Sequence, residues 1–295
     1  EWIISRTGMR ERRIAGEEEF TSDMGIQAAK KAIEKAKIDL KSIDLILVAT
    51  LTPDYMFPST ACIIQAALGI EAAALDIQAA CSGYIYGLSI AKAFVESGRY
   101  RNVLLIASEK LSSIVDYEDR STCVLFGDGA SSCVVSSEGK GLVIRDVVLG
   151  SDGNLTEILK MPAGGSRNPA TKKTVEEKMH CIKMEGRETF KHAVRRMESS
   201  SKECIDKAGL SESDISWLIP HQANIRIIEA IAKRFQMPND RVFITVDKYG
   251  NTSSSSVGIA LDELLDEKQI SSGDHILLTT FGAGLTWGST VLTNE

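Results

Sequence analysis

What this 295-residue sequence lacks narrows its class first. It holds only four histidines, six prolines and 6% aromatic residues. Its six cysteines, at 62, 81, 123, 133, 181 and 204, include no CxxC pair and accompany no histidine cluster, so no metal site is expected. They are too sparse for a disulfide scaffold, and free thiols in a reducing compartment are expected instead. There is no GxGxxG, which argues against a nucleotide redox cofactor. No signal peptide or lipidation motif is visible. No apolar run approaches the ~20 residues that span a bilayer; the longest, Leu45 to Leu51, is strand-sized. A net charge of -6 leaves no general basic excess, so neither nucleic acid nor membrane is expected as a partner. What is present is an ordinary globular balance of 43% hydrophobic and 25% charged residues, which excludes a disordered chain. At roughly 150 residues per domain, about two domains are expected. The chain opens on Glu-Trp rather than Met.

Helical and strand patterns alternate. Met24 to Lys37 places apolar residues at helical spacing, Ile43 to Ala49 is a β-branched and leucine run, Gly83 to Glu96 reads as a buried helix, and Val103 to Ala107 as a strand. Apolar strands between helices predict an α/β fold with sheets covered on both faces. The second half repeats the first. AIEKAKIDLKSIDLIL, ending at Leu47, aligns with CIDKAGLSESDISWLI, ending at Ile219, and pairs Ile33 with Ile205, Ala36 with Ala208 and Ile43 with Ile215 at an offset of 172. YGLSIAKAFVESGRYRNVLLIAS resembles VGIALDELLDEKQISSGDHILLTTF, with Val103 opposite Ile276 at 173. Two segments with nearly one offset predict an internal duplication about a pseudo-twofold axis. The expected division is a first half over 1–150, a turn-rich connecting or cap region over 151–185, and a second half over 186–295.

The offset also predicts a site. Cys81 lies in AACSG, at the start of the first half's buried helix; its counterpart falls within Gly250-Asn251-Thr252-Ser253-Ser254. His221, in PHQAN, maps onto the end of the first-half strand, and strand carboxyl ends are where α/β proteins place ligands. Cys81, His221 and Asn251 are therefore expected to converge. A cysteine at a helix start is expected to feel the positive end of the macrodipole and favour thiolate, the form that attacks acyl groups. Cys62 is expected in the core, and the other cysteines and histidines in structural roles. Backbone N–H groups of Phe281-Gly282-Ala283-Gly284 are placed to meet a developing oxyanion. Phe126 to Ala130 lacks a phosphate-loop lysine and reads as a structural turn.

These motifs, with EWIISRTGMRERR at the start and FGAGLTWGS near the end, resemble 3-oxoacyl-[acyl-carrier-protein] synthase III, the initiating condensing enzyme of type II fatty acid synthesis. The resemblance implies a thiolase-like five-layer αβαβα fold of two duplicated halves with mixed β-sheets, a homodimer, and a cytoplasmic or plastid-stroma location. It implies a two-step Claisen condensation without a cofactor. Acyl-CoA, most simply acetyl-CoA, acylates Cys81; malonyl-acyl carrier protein then loses carbon dioxide and attacks the acyl-Cys. His221 and Asn251 would hold the malonyl thioester carbonyl and its enolate, the backbone N–H groups of Cys81 and Ala283 would form an oxyanion hole, and Phe281 would sit by the malonyl carboxylate. Trp2 and Arg120 match a pair that stacks on the CoA adenine, Arg6 and Thr7 match CoA contacts, and Asn224 a residue by the pantetheine arm. Lys191, Arg226, Lys233 and Arg234 match basic positions for an acidic carrier protein, and Phe57 a residue reaching the partner subunit's acyl pocket.

The sequence departs from the pattern at Ala283, a Gly in some members, and at Leu285, aromatic in some. The family's first core strand, which precedes the Glu-Trp motif, is expected to be missing. The nearest rival is another thiolase-fold synthase, with a quinolone or polyketide primer. A true thiolase would need a second cysteine between Phe281 and Gly288, a papain-type hydrolase would show a different pattern around its cysteine, and a silent carrier-protein binding module would not need Cys81, His221 and Asn251 together.

Overall fold

The computed structural model describes residues 1–295. In chain order the elements are α1 (Trp2–Thr7), α2 (Thr21–Ala36), β1 (Leu45–Ala49), α3 (Thr60–Leu68), β2 (Ala73–Ile77), α4 (Gly83–Glu96), β3 (Asn102–Glu109), β4 (Gly129–Ser136), β5 (Leu142–Ser151), β6 (Leu159–Lys160), α5 (Lys172–Glu176), β7 (Lys183–Met184), α6 (Gly186–Lys207), β8 (Ile215–Pro220), α7 (Ile225–Arg234), α8 (Val246–Tyr249), α9 (Ser256–Glu267), β9 (His275–Gly282) and β10 (Thr286–Asn294). No helix is long and apolar enough to cross a membrane.

Two four-stranded mixed sheets carry the fold, in the orders β2-β1-β3-β4 and β5-β10-β9-β8. In the first, β1 and β3 are parallel and β4 runs antiparallel to β3. In the second, β8 and β9 are parallel and β10 runs antiparallel to β9. The repeat read from the sequence is thus a repeat of topology. The chain passes between sheets after Ser136, because β5 pairs with β10. That crossing lies ahead of residue 150, the boundary expected from composition.

Side-chain alternation along each buried strand builds the layers. On β1, Ile46 and Val48 point outward with Leu104 and Ile106 of β3 to pack under α2 and α3. Leu45, Leu47 and Ala49 point inward, where they meet α4, α9 and the inward residues Ile276 and Leu278 of β9. On the far side, Leu277 and Leu218 pack under α6 and α7. The order from outside to outside is helices, sheet, helices, sheet, helices: the five-layer α/β fold. Helix α3 corrects one expectation. It buries Ala61, Ile64 and Leu68, one stripe at helical spacing, which turns Cys62 to solvent rather than into the core.

Candidate active site

The halves meet where two short 3₁₀ turns, Ala80–Ser82 and Ser253–Ser255, lead into the central helices α4 and α9. Cys81 lies in the first turn and is buried. Gly282, at the end of β9, lets the two stretches close: a Cβ there would stand 2.6 Å from the Cys81 nitrogen. Thr286 Oγ1 donates to Ala79 O at 2.8 Å and fastens the β9–β10 hairpin to the same turn.

His221 leaves the end of β8 with its N–H donated to Thr279 O at 2.8 Å. Its Nδ1 lies 2.7 Å from Ser256 Oγ at the start of α9. The next side chain, Gln222, holds the turn by donating to Pro220 O at 2.7 Å and accepting from Thr245 N at 2.8 Å. Asn251 is fixed through its backbone by Leu125 O at 2.9 Å and Gly127 N at 3.0 Å. Ser253 N donates to Asn251 Oδ1 at 2.9 Å, which occupies the carbonyl end of the carboxamide and leaves its NH2 without a protein partner. The Phe126 to Ala130 turn, expected to be structural, supports Asn251 through the Gly127 bond and anchors itself by Asp128, which accepts from Ala15 N and Ser112 N at 2.8 Å each.

Cys81, His221, Asn251, Phe281 and Ala283 line one cavity of about 740 Å³, and Trp2, Arg6, Thr7, Arg120, Asn224 and Arg226 line it as well. Trp2, Arg6, Arg120 and Arg226 are exposed and form a rim, while the three reactive side chains are buried within. Met161, Ile182 and Met184, from the segment between the halves, form part of the wall. Asn224 also caps α7, where its side chain accepts from Arg226 N at 2.9 Å. Lys191, Lys233 and Arg234 lie outside the cavity on the exposed surfaces of α6 and α7. Phe57 stands apart, 85% exposed, on the loop after β1.

The electrostatics correct the thiolate expectation. Burial pushes the Cys81 thiol up to about 12; a hydrogen bond from the Ser253 side chain opposes the rise, and the negative charge of Glu109 adds to it. Burial also holds His221 down to about 4. At neutral pH the resting pair is a protonated thiol and a neutral imidazole. A dipole contribution at the helix start does not overcome removal from water.

Glu109 is a site residue that the motifs did not point to. It ends β3, wholly buried, and bonds to the Ser253–Ser254 turn. A signal was available: Glu109 and Gly282 differ by the repeat offset of 173, so the position matching the glycine beside Cys81 is a carboxylic acid at the end of an otherwise apolar strand.

Residues 75–153 match the family model described as 3-Oxoacyl-[acyl-carrier-protein (ACP)] synthase III, and residues 205–294 match its C-terminal counterpart. The chain is 60% identical to the beta-ketoacyl-[acyl-carrier-protein] synthase III of Chlamydia caviae, over 99% of this chain and 88% of that protein. It is similar to the crystal structure of 3-oxoacyl-[acyl-carrier-protein] synthase III from Aquifex aeolicus, with a TM-score of 0.88, 47% identity, and coverage of 99% and 90% of the two chains. A priming beta-ketosynthase of a polyketide biosynthetic pathway is also similar, with a TM-score of 0.90 and coverage of 100% and 88%, at 36% identity.

Proposed function

The chain belongs to the 3-oxoacyl-[acyl-carrier-protein] synthase III family, and from that premise we propose how its residues divide the reaction. It is an initiating condensing enzyme of type II fatty acid synthesis, an acyltransferase that acts on acyl-CoA and malonyl-acyl carrier protein. Its greater identity to the fatty acid enzymes disfavours the polyketide-primer alternative.

Cys81 Sγ attacks the acyl-CoA carbonyl. The thiol proton passes to the neutral His221 imidazole and on to the departing CoA sulfur, and the Cys81 and Ala283 backbone N–H groups meet the oxyanion. Ser256 Oγ can donate to or accept from Nδ1, so the imidazole can present Nε2 bare for this step or protonated for the next. Malonyl-acyl carrier protein then enters. Its thioester oxygen accepts from His221 Nε2–H and Asn251 Nδ2–H while the C–C bond to the carboxylate breaks. The enolate carbon attacks the acyl-Cys81 carbonyl and releases the thiolate, which takes up a proton from solvent to restore the resting thiol. An amide suits this role better than a carboxylate, because negative charge grows on the oxygen it faces. Buried Phe281 gives the leaving carboxylate an apolar neighbour that favours neutral carbon dioxide. Neither half-reaction needs an external oxidant or reductant, so side chains and the CoA thioester suffice without a cofactor.

The observation that carries this reading is the orientation of Asn251, whose Oδ1 is occupied by Ser253 N–H and whose NH2 is left for a ligand. The first half, 1–150, then supplies the nucleophile; the second, 186–295, supplies the enolate donors; and 151–185 covers them. At the rim, Trp2 and Arg120 would stack on the adenine, and Arg6, Thr7 and Asn224 would line the path of the CoA arm. The Arg226 guanidinium lies 5.8 Å from the Phe190 ring and links α7 to α6 beside Lys191. With Lys233 and Arg234 it offers positive charge to an acidic carrier protein. Tyr55, Met56 and Phe57 are 63%, 79% and 85% exposed, and Leu75 on edge strand β2 is 42% exposed. Such a patch beside an open sheet edge fits a second copy of the chain, with Phe57 reaching the partner. A cytoplasmic or plastid-stroma setting follows from the carrier-protein substrate.

The test separates the half-reactions. Asn251→Ala should keep acyl transfer to Cys81 from acetyl-CoA yet lose ~10²- to 10³-fold in carbon dioxide release from malonyl-acyl carrier protein, whereas His221→Ala, which also removes the acceptor of the thiol proton, should slow both half-reactions. Retention of both activities in both variants would contradict the roles.

A further inference from the structure

Glu109 is fully buried at the end of β3 and forms no ion pair. Five donors meet its carboxylate. Oε2 accepts from Leu51 N at 3.0 Å, Thr50 Oγ1 at 3.2 Å and Thr52 Oγ1 at 2.9 Å. Oε1 accepts from Ser253 Oγ at 3.0 Å and Ser254 Oγ at 2.8 Å. Thr50 Oγ1 already accepts from Thr52 N, and Thr52 Oγ1 from Lys110 N, so each hydroxyl proton is left for Glu109.

A buried carboxylate without a counter-charge is costly, and an apolar residue would serve packing better. What this one does is tie the halves together. Thr50 to Thr52 follow β1 in the first half, whereas Ser253 and Ser254 belong to the turn before α9 in the second. Ser253 has φ 52°, a left-handed conformation that strains a residue with a Cβ and persists only where its surroundings over-determine it. Three bonds hold Ser253: its Oγ to Glu109, its N–H to Asn251 Oδ1 and its C=O from Ser256 N–H. The second is the bond that sets the Asn251 carboxamide. Cys81 is seated by its own turn, by α4 and by the close approach of Gly282 from β9, while Ser253 and Glu109 bear on its thiol rather than on its placement.

We propose that Glu109 is a positioning residue for decarboxylation: through Ser253 and Ser254 its buried carboxylate fixes the turn that aims the Asn251 amide at the malonyl thioester. This rests on the donor role proposed for Asn251. The side chain itself does not touch substrate; it acts across the seam on a residue of the other half.

The experiment uses Glu109→Gln and Ser253→Ala, singly and combined, with acetyl transfer to Cys81 and carbon dioxide release from malonyl-acyl carrier protein measured separately. Carbon dioxide release should fall about tenfold or more in kcat in each single variant and little further in the double, with KM for malonyl-acyl carrier protein within about twofold and a loss in acetyl transfer at least about threefold smaller than the loss in carbon dioxide release. A purely structural role would lower both half-reactions together. Equal losses in the two half-reactions, additive losses in the double variant, or unchanged carbon dioxide release would each overturn the proposal. If Glu109→Gln does not fold, Ser253→Ala, which leaves the carboxylate its four other donors, carries the same expectation. Asn251→Ala is run alongside. If it retains carbon dioxide release, the donor role and the positioning role fall together. If it loses that activity while Glu109→Gln and Ser253→Ala keep it, the positioning role alone falls.

Discussion

Ala80 and Ser253 occupy equivalent places in the two halves and share a left-handed backbone, with φ 45° and 52°. Each opens a 3₁₀ turn that leads into a central helix. The turns have diverged in chemistry: one presents Cys81, and the other fixes Asn251. Their neighbours diverged with them, since the end of β9 supplies Gly282 against the Cys81 turn and the end of β3 supplies Glu109 against the Ser253 turn.

The close approach of Gly282 is sensitive to a single methyl group. A Cβ 2.6 Å from the Cys81 nitrogen cannot be accommodated without moving the turn. Gly282→Ala should cost about 1–3 kcal/mol in stability, and should slow acetyl transfer even at temperatures where the variant is fully folded. Chemical denaturation with acyl-transfer rates on the folded variant checks both.

The Cys81 and His221 environments set two pH dependences. With the thiol pushed up to about 12, alkylation by iodoacetamide should keep rising with pH from 7 to 9 without a plateau. A plateau near pH 7 would mean a thiolate at rest. His221 is held at about 4 when folded, against 6.5 for the free side chain. Between those values the unfolded chain binds a proton that the folded chain does not, so stability is lost as pH falls from about 6.5 towards 4. The contribution is about 3 kcal/mol. His221→Gln should lose less stability than the natural chain over that interval, as read by urea unfolding at several pH values.

Rim residues should act on substrate capture rather than chemistry. Trp2→Ala, which removes an exposed indole from the cavity mouth, should raise KM for acetyl-CoA about 5- to 10-fold with kcat little changed. Steady-state kinetics at saturating malonyl-acyl carrier protein make the comparison.

Charge reversal of Lys233 and Arg234 to Glu should raise KM for malonyl-acyl carrier protein several-fold at low salt, and the difference should shrink as ionic strength rises. Acetylation of Cys81 by acetyl-CoA should stay unchanged. A loss common to both substrates would place these residues elsewhere in the mechanism.

Much of the architecture was legible because the repeat leaves a numerical trace. An offset of 172 to 173 carries β1 onto β8 and β3 onto β9, and brings His221 and Asn251 to the Cys81 site. Less legible were properties set by three-dimensional surroundings. Cys62 sits in an apolar run, yet the stripe of Ala61, Ile64 and Leu68 turns it outward. The Cys81 thiol is governed by burial, opposed by Ser253 from the other half and reinforced by Glu109, none of which the AACSG motif shows. Glu109 looks like the polar end of a strand, and its meaning emerges only when donors from positions 50 to 52 and 253 to 254 close around it. Strand β5 leaves little trace in the sequence, because its half-exposed residues give no continuous apolar run.

The central claim is that Cys81 carries the acyl group between the two substrates. Incubation with radiolabelled acetyl-CoA, followed by peptide mapping, tests it directly. One acetyl group per chain should appear on the peptide containing Cys81, disappear in Cys81→Ser, and be discharged into 3-oxoacyl product on addition of malonyl-acyl carrier protein. Absence of covalent label, or label on another cysteine, would contradict the account.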